Sequence, residues 1–240
     1  MQTETLNPQR LTEIFTALGG TFVTPPASIA AKLKNIKAVV FDWDGVFNDG
    51  FKGDGQPSIF SEADSMGTNM LRYGLWRQND ELPVAAIISG EQNLTAQHFA
   101  TREHFHHVYL GIPDKRKALK HLCATQGIEP VNVAFVFDDV NDLGMAAQCG
   151  LRLMVKRKAG PLLHNYAINN DCCDYIMASC GSSHAVREAM ELMLGFIGNF
   201  DAVINSRTRY DEMYRNYFEL RQSTRTKNFC TSGDKIIAAA

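Results

Sequence analysis

Six short runs of β-prone apolar residues punctuate the chain: KAVVFD (37–42), VAAIIS (84–89), HVYLG (107–111), VAFVFD (133–138), LRLMV (151–155) and DYIM (174–177). Most are separated by segments with helical spacing, notably 91–103, 114–126 and 141–149. Runs that are apolar throughout, with no polar alternation, suit strands buried on both faces. Alternating with helices, they predict an α/β fold around a central parallel sheet. In such a sheet, ligands bind beyond the carboxyl ends of the strands. The polar residues that end these runs are therefore the first candidates for function.

At 240 residues the chain suits one medium domain with appendages, and a hydrophobic fraction of 45% supports a real core. A formal charge of −2 gives no reason to expect nucleic acid as a partner. No apolar run reaches the roughly 18 residues of a membrane span, and MQTETLNPQR does not read as a secretory leader. Six scattered cysteines without a CxxC pair read as reduced thiols of a cytoplasmic protein.

The flanks differ from the middle. Residues 8–34 read as one or two helices joined at GGTFVTPP, and 183–225 as a long helical region; the last fifteen or so residues read as a loose tail. Residues 51–62, with a Gly-Asp-Gly turn between short runs, predict a β-hairpin.

The strand ends carry the chemistry. Asp42 and Asp44 end the first run, Gly45 permits a tight turn, and Asn48 and Asp49 follow. Ser89 and Gly90 end the second, and a helix is expected to begin at Glu91, which would make an anion site of hydroxyl and free N–H groups. Lys115 opens the helix after GIPD, and Asp138, Asp139 and Asp142 follow the fourth run. Folded as a parallel sheet, these groups converge on one edge. Clustered carboxylates repel unless a cation sits among them, and Mg²⁺ commonly takes a few protein oxygens plus substrate phosphate.

FDWDGVFNDG, IISG, Lys115 and FDDVND, in that order, resemble the four motifs of the haloacid dehalogenase-like phosphohydrolases, over roughly residues 36–195. Within them the chain is most similar to the capless 3-deoxy-octulosonate-8-phosphate phosphatases and their nonulosonate-9-phosphate relatives. FSEADSMG and GSSHAVREAMELML carry that likeness. The resemblance implies a Rossmann-like three-layer sandwich with a hairpin after the first strand and no cap. It divides the chain into a helical N-terminal extension (1–35), the phosphatase domain (36–200) and a C-terminal helix and tail (201–240).

The resemblance further implies a Mg²⁺-dependent phosphomonoesterase. Asp42 would be the nucleophile and Asp44 the general acid and base. The metal would be held by Asp42, the main-chain carbonyl of Asp44 and Asp138. Ser89, Gly90 and Lys115 would hold the transferring oxygens, Asp139 and Asp142 would orient Lys115 or metal-bound water, and Glu91 and Arg102 would meet the sugar. The implied partners are a small acidic sugar phosphate and other copies of the chain, as a homotetramer, with neither nucleic acid nor membrane. A capless phosphatase for a nucleotide, lipid headgroup or phosphoprotein, and a catalytically quiet scaffold, are the competing readings.

Departures from the family pattern are Phe137, where Gly usually precedes the Asp pair, and His184, in place of the last Gly of the terminal loop. Ala63 and Glu91 stand where the octulosonate enzymes often carry Arg, which leans the substrate towards a nine-carbon sugar. HFHH (104–107) reads as structural or surface, KRK (156–158) first as a solvated charge run and second as a contact for a substrate carboxylate, and NLT (93–95) as an irrelevant sequon.

Overall fold

The computed structural model describes residues 7–53 and 58–239. Its strands are β1 (Thr21–Phe22), β2 (Ala38–Phe41), β3 (Val84–Ile88), β4 (His107–Tyr109), β5 (Val133–Phe137), β6 (Leu151–Met154), β7 (Tyr175–Ile176), β8 (Lys227–Ser232) and β9 (Lys235–Ala238). They form one sheet in the order β1-β7-β6-β5-β2-β3-β4-β8-β9, parallel except for its two outermost pairs. The strand β2 is central, with Ala38 in register with both Val84 and Val133. After β2 the chain builds outward through β3 and β4, then crosses back to β5 on the other side. That reversal leaves a crevice at the ends of β2 and β5, where open α/β sheets hold their ligands.

The helices are α1 (Pro8–Leu18), α2 (Pro26–Leu33), α3 (Glu62–Asn79), α4 (Leu94–Arg102), α5 (Lys115–Gln126), α6 (Val140–Ala146), α7 (Pro161–Asn169), α8 (Ala185–Ile197), α9 (Phe200–Arg209) and α10 (Glu212–Ser223). Strand alternation divides the core in two. Val39 and Phe41 face a cluster with Leu71, Phe99, Met190 and Leu194, while Ala38 and Val40 face Leu119, Leu122, Met145 and Ala167. The result is helix, sheet, helix. Phe137 is fully buried on the α5–α7 side, stacked on Phe135 at 5.4 Å, and Asp138 still emerges at the strand end.

The structure departs from expectation in three ways, two of them in the flanks. Residues 183–225 form three helices, because Gly198 (φ 82°) and Tyr210 (φ 50°) adopt left-handed turns and Asp211 caps α10. The expected loose tail is instead an edge addition to the sheet. The strand β8 runs parallel to β4, with Lys227 N donating to His106 O at 2.9 Å and Phe229 stacked on Tyr109 at 5.0 Å. The short β4 would otherwise leave a row of unpaired backbone groups. Third, residues 51–53 and 58–61 form no strand; the rest of the expected hairpin turn, 54–57, lies outside the described residues.

The apolar face of α8, with Met190, Leu194 and Phe196, is covered within the chain by α1, α2, α3 and α9. On the same layer, α9 and α10 pack on α3. Tyr73 meets the Ser206 hydroxyl at 2.5 Å and the Tyr214 ring edge-on at 5.2 Å. Arg221, almost fully buried, joins Glu103 at 2.7 Å.

Candidate active site

The first motif owes its geometry to alternation at the end of a strand. Asp42 N donates to Val136 O at 2.9 Å, so the chain still runs as β2 when it reaches the crevice. Trp43 turns into the core, stacked on Phe47 at 4.7 Å, which leaves Asp42 and Asp44 facing the cavity. Gly45 then turns at φ 90°, where a Cβ would stand 2.1 Å from Asp138 Oδ2. No other residue type allows so close an approach.

Lys115, the first residue of α5, is held at its start by the Asp114 cap. Its ammonium lies 2.6 Å from Asp42 Oδ1 and 2.5 Å from Asp142 Oδ1. Asp142 also accepts from Asp139 N at 3.2 Å, the capping box that begins α6. The expected orienting role over Lys115 therefore fits Asp142, while the exposed Asp139 caps the helix. Asp138 gives Oδ2 to Arg157, and its Oδ1 is buried without a partner.

Asp42, Asp138 and Asp142 each offer a carboxylate oxygen within 4.8 Å of the others. Burial pushes Asp42 up to about 6 despite the pull of Lys115. Burial likewise lifts Asp138 to about 6 against Arg157, and Asp142 to about 6 with the Asp42 charge adding to it. Burial alone would lower Lys115, but Asp42 and Asp142 outweigh it and raise its pKa. Three carboxylates held above their ordinary range lack positive charge. A hard divalent cation supplies it, and the orphaned Asp138 Oδ1 is a suitable ligand atom.

Asp44 sits in a more open, hydrogen-bonded setting. Its Oδ1 accepts from Ser58 Oγ at 3.2 Å and Asn93 Nδ2 at 3.4 Å, and its Oδ2 lies 3.3 Å from Lys52 Nζ. Lys52 also reaches the exposed Glu91 at 3.7 Å. Ser89 is buried and accepts from Glu91 N at 3.2 Å, but the helix expected at Glu91 begins at Leu94. Asn93 caps it by accepting from Thr95 N and Ala96 N, so those N–H groups are already engaged. Any anion at Ser89 and Gly90 therefore meets the turn and Lys115, not the open end of α4.

One cavity of about 610 Å³ is lined by Asp42, Asp44, Ser89, Gly90, Glu91, Lys115, Asp138, Asp139 and Asp142 from the sequence expectation, together with Lys52 and Arg157. Arg102 is not among them. It lies at the far end of α4, paired with Glu62 at 2.9 Å and set over Phe60. Sequence reasoning missed Lys52, Ser58 and Asn93, and ranked Arg157 as a solvated charge. The signals were present only as position: KRK follows the β6 strand end, and Asn93 precedes an apolar helix as a cap should.

His184 takes a left-handed conformation (φ 64°) ahead of α8, where Gly would be unstrained. Its ring meets Ser61 Oγ at 2.9 Å. Gly181, three residues earlier, packs so closely that a Cβ would stand 2.1 Å from Asn48 O and 2.6 Å from Gly45 O. The loop before α8 thus buttresses the turn that carries Asp44.

No family model matches the chain. Among curated proteins it is 32% identical over 179 residues to the 3-deoxy-D-manno-octulosonate 8-phosphate phosphatase KdsC of Escherichia coli strain K12, covering 73% of this chain and 88% of the relative. Among solved structures it is similar to the 3-deoxy-D-manno-octulosonate 8-phosphate phosphatase of Moraxella catarrhalis in complex with magnesium, phosphate and KDO. That similarity has a TM-score of 0.62 at 29% identity over 74% of this chain and 97% of that one. A putative hydrolase of the haloacid dehalogenase superfamily (subfamily III A) from Legionella pneumophila gives a TM-score of 0.64 at 27% identity, covering 82% and 98%. The similarity runs through nearly the whole length of each relative and is not confined to the strand ends, so this chain belongs to the family of 3-deoxy-D-manno-octulosonate 8-phosphate phosphatases within the haloacid dehalogenase superfamily.

Proposed function

We propose that this protein is a Mg²⁺-dependent phosphomonoesterase that dephosphorylates an acidic 2-keto-3-deoxy sugar, octulosonate 8-phosphate or a nonulosonate 9-phosphate. The observation that carries the reading is Asp42 bonded to a buried Lys115, itself held by Asp142, beside the unpartnered Asp138 Oδ1. Asp42, Asp138 and the main-chain carbonyl of Asp44 would hold the ion, which offsets repulsion between a carboxylate nucleophile and a phosphate dianion when bound.

Lys115 holds Asp42 by Oδ1, leaving the other oxygen to attack phosphorus. The P–O bond to the sugar breaks, and Asp44 gives its proton to the departing alkoxide. Asp44 then takes a proton from water, whose oxygen attacks the aspartyl-phosphate, releasing phosphate and restoring Asp42. Ser89, the Gly90 N–H and Lys115 stabilise the transferring oxygens. Glu91, at the exposed rim, is the sugar-facing residue.

Only α3 and its lead-in separate β2 from β3, and only α4 separates β3 from β4, so no cap covers the cavity among the described residues. An open site favours assembly, and we read the protein as a cytoplasmic homotetramer in which a neighbour closes the cavity and Arg102 acts across an interface. A phosphate-release screen over sugar, nucleotide and phosphoamino-acid monoesters with Mg²⁺ tests the function. Acidic sugar phosphates should give the highest kcat/KM; a clear preference for nucleotides or phosphopeptides would overturn the substrate reading.

A further inference from the structure

Of the three cations in the KRK run, Arg157 lines the cavity. Its Nε donates to Asp138 Oδ2, and its side chain remains 38% exposed. The guanidinium also lies over the first motif, since a Cβ on Gly45 or Gly50 would stand 2.0 Å or 3.2 Å from the same Nη2 atom. Arg157 therefore fills the space between Asp138 and the turn after β2. Among the described residues, Asp138 is its sole carboxylate partner.

Asp138 is also a carboxylate suited to a divalent cation, by its unpartnered Oδ1 and its place in the cluster of three acids. Two cations sharing one buried carboxylate, an ion at Oδ1 and Arg157 at Oδ2, repel each other far more strongly than they would in water. Arg157 thus competes with the metal for Asp138. Once displaced it would stay at the cavity wall, half-exposed and with no carboxylate in direct contact, only the more distant charges of Asp139 and Asp42. The other cavity cations are committed: Lys115 to Asp42 and Asp142, Lys52 to Asp44 and Glu91. A substrate that carries a carboxylate remote from its phosphate needs one more cation, and a planar guanidinium binds a carboxylate through two parallel hydrogen bonds.

We propose that Arg157 is a resident counter-cation of Asp138 that a divalent ion displaces, and that the freed guanidinium receives the substrate's carboxylate. The second half rests on the acidic-sugar reading above; the first does not. Metal binding and acid binding are then mutually supportive, because each uses a partner the other releases.

Calorimetric titration of Mg²⁺ and Mn²⁺ into wild type, Arg157→Gln and Arg157→Lys tests displacement without any turnover. The Gln variant should bind metal roughly tenfold or more tightly than wild type, and the Lys variant close to wild type. Metal affinity that is unchanged or weaker in the Gln variant overturns the displacement. Titration of 3-deoxy-octulosonate, the dephosphorylated acid, into the metal-loaded proteins tests the receptor. A loss of roughly tenfold or more in the Gln variant supports it, and equal affinity overturns it. If wild type itself fails to bind the acid at millimolar concentration, the receptor half and the substrate reading fall together, while the metal titration still decides displacement.

Should the Gln variant not fold, wild type answers by NMR. The Arg157 Nε–H resonance, assigned by its loss in the Lys variant, should move from a carboxylate-bound to a solvent-exposed position as Mg²⁺ is added. A resonance that stays fixed at saturating Mg²⁺ overturns the proposal.

Discussion

Asp42 and Asp44 share a motif but not an environment, and the difference assigns their work. Asp42 is buried against Lys115, whereas Asp44 is reached by Ser58, Asn93 and Lys52. If Asp44 protonates the leaving group, Asp44→Asn should lose about 10²- to 10⁴-fold with an alkyl phosphate and much less with p-nitrophenyl phosphate, whose leaving group needs little protonation. Equal losses on both would assign Asp44 to metal binding or structure. A second expectation concerns protons. Asp42, Asp138 and Asp142 are each raised by burial from 3.8 to about 6. Between those values the metal-free fold binds protons that the unfolded chain has lost, so their contribution to stability falls as pH rises through that window. Asp42 and Asp138, which would hold the ion, can do so only when ionised, and Mg²⁺ should therefore raise Tm more at about pH 7.5 than at about pH 5. Thermal unfolding with and without Mg²⁺ checks this; a shift independent of pH would mean these carboxylates do not hold the ion. The acids were legible in the sequence because carboxylates at apolar strand ends are costly without a cation. Lys52 and Arg157 were not, because a loop cation that neutralises a buried acid has the same local sequence as one in water.

Elements were legible where pattern and burial agree. Every residue of β2, β3 and β5 is buried, and their runs were apolar throughout. The edge strands β8 and β9 hold only half-buried and exposed residues, with no regular alternation, on either side of a Ser-Gly-Asp turn, a weaker signal that a polar terminus conceals. The breaks between α8, α9 and α10 rest on Gly198 and on a left-handed Tyr210, and no rule of composition requires the latter. The loop before α8 shows how an element far along the chain enters the site. Gly181→Ala would push a methyl into Asn48 O and Gly45 O, both backbone atoms that cannot swing aside. We expect a loss of about 1–3 kcal/mol in stability, with a lower kcat from the displaced Asp44 turn. Chemical denaturation and steady-state rates measure both, and a variant as stable and active as wild type would show that the loop does not brace the motif.

At the scale of the molecule, the flanks complete the core of this subunit: α1 and α2 cover α8, α9 and α10 cover α3, and β8 extends the sheet. The apolar stretch at 190–200 packs within the subunit and leaves no face that needs another copy of the chain. The case for a homotetramer therefore rests on the open cavity and on Arg102, which stands away from it. Light scattering should give a mass four times that of the 26.7 kDa chain. A stable and fully active monomer at micromolar concentration would refute the assembly and leave Arg102 without a role in the site. If Asp42 takes phosphate from an acidic sugar with Mg²⁺ bound, the reaction itself gives the test. The most direct measurement is phosphate release from 3-deoxy-octulosonate 8-phosphate or a nonulosonate 9-phosphate by wild type and by folded Asp42→Asn. Wild type should show a kcat/KM of about 10⁴ M⁻¹s⁻¹ or more that vanishes with chelation and is undetectable in the Asn variant. Release that is equal in the two proteins, or no release from either sugar phosphate by wild type with Mg²⁺, would contradict it.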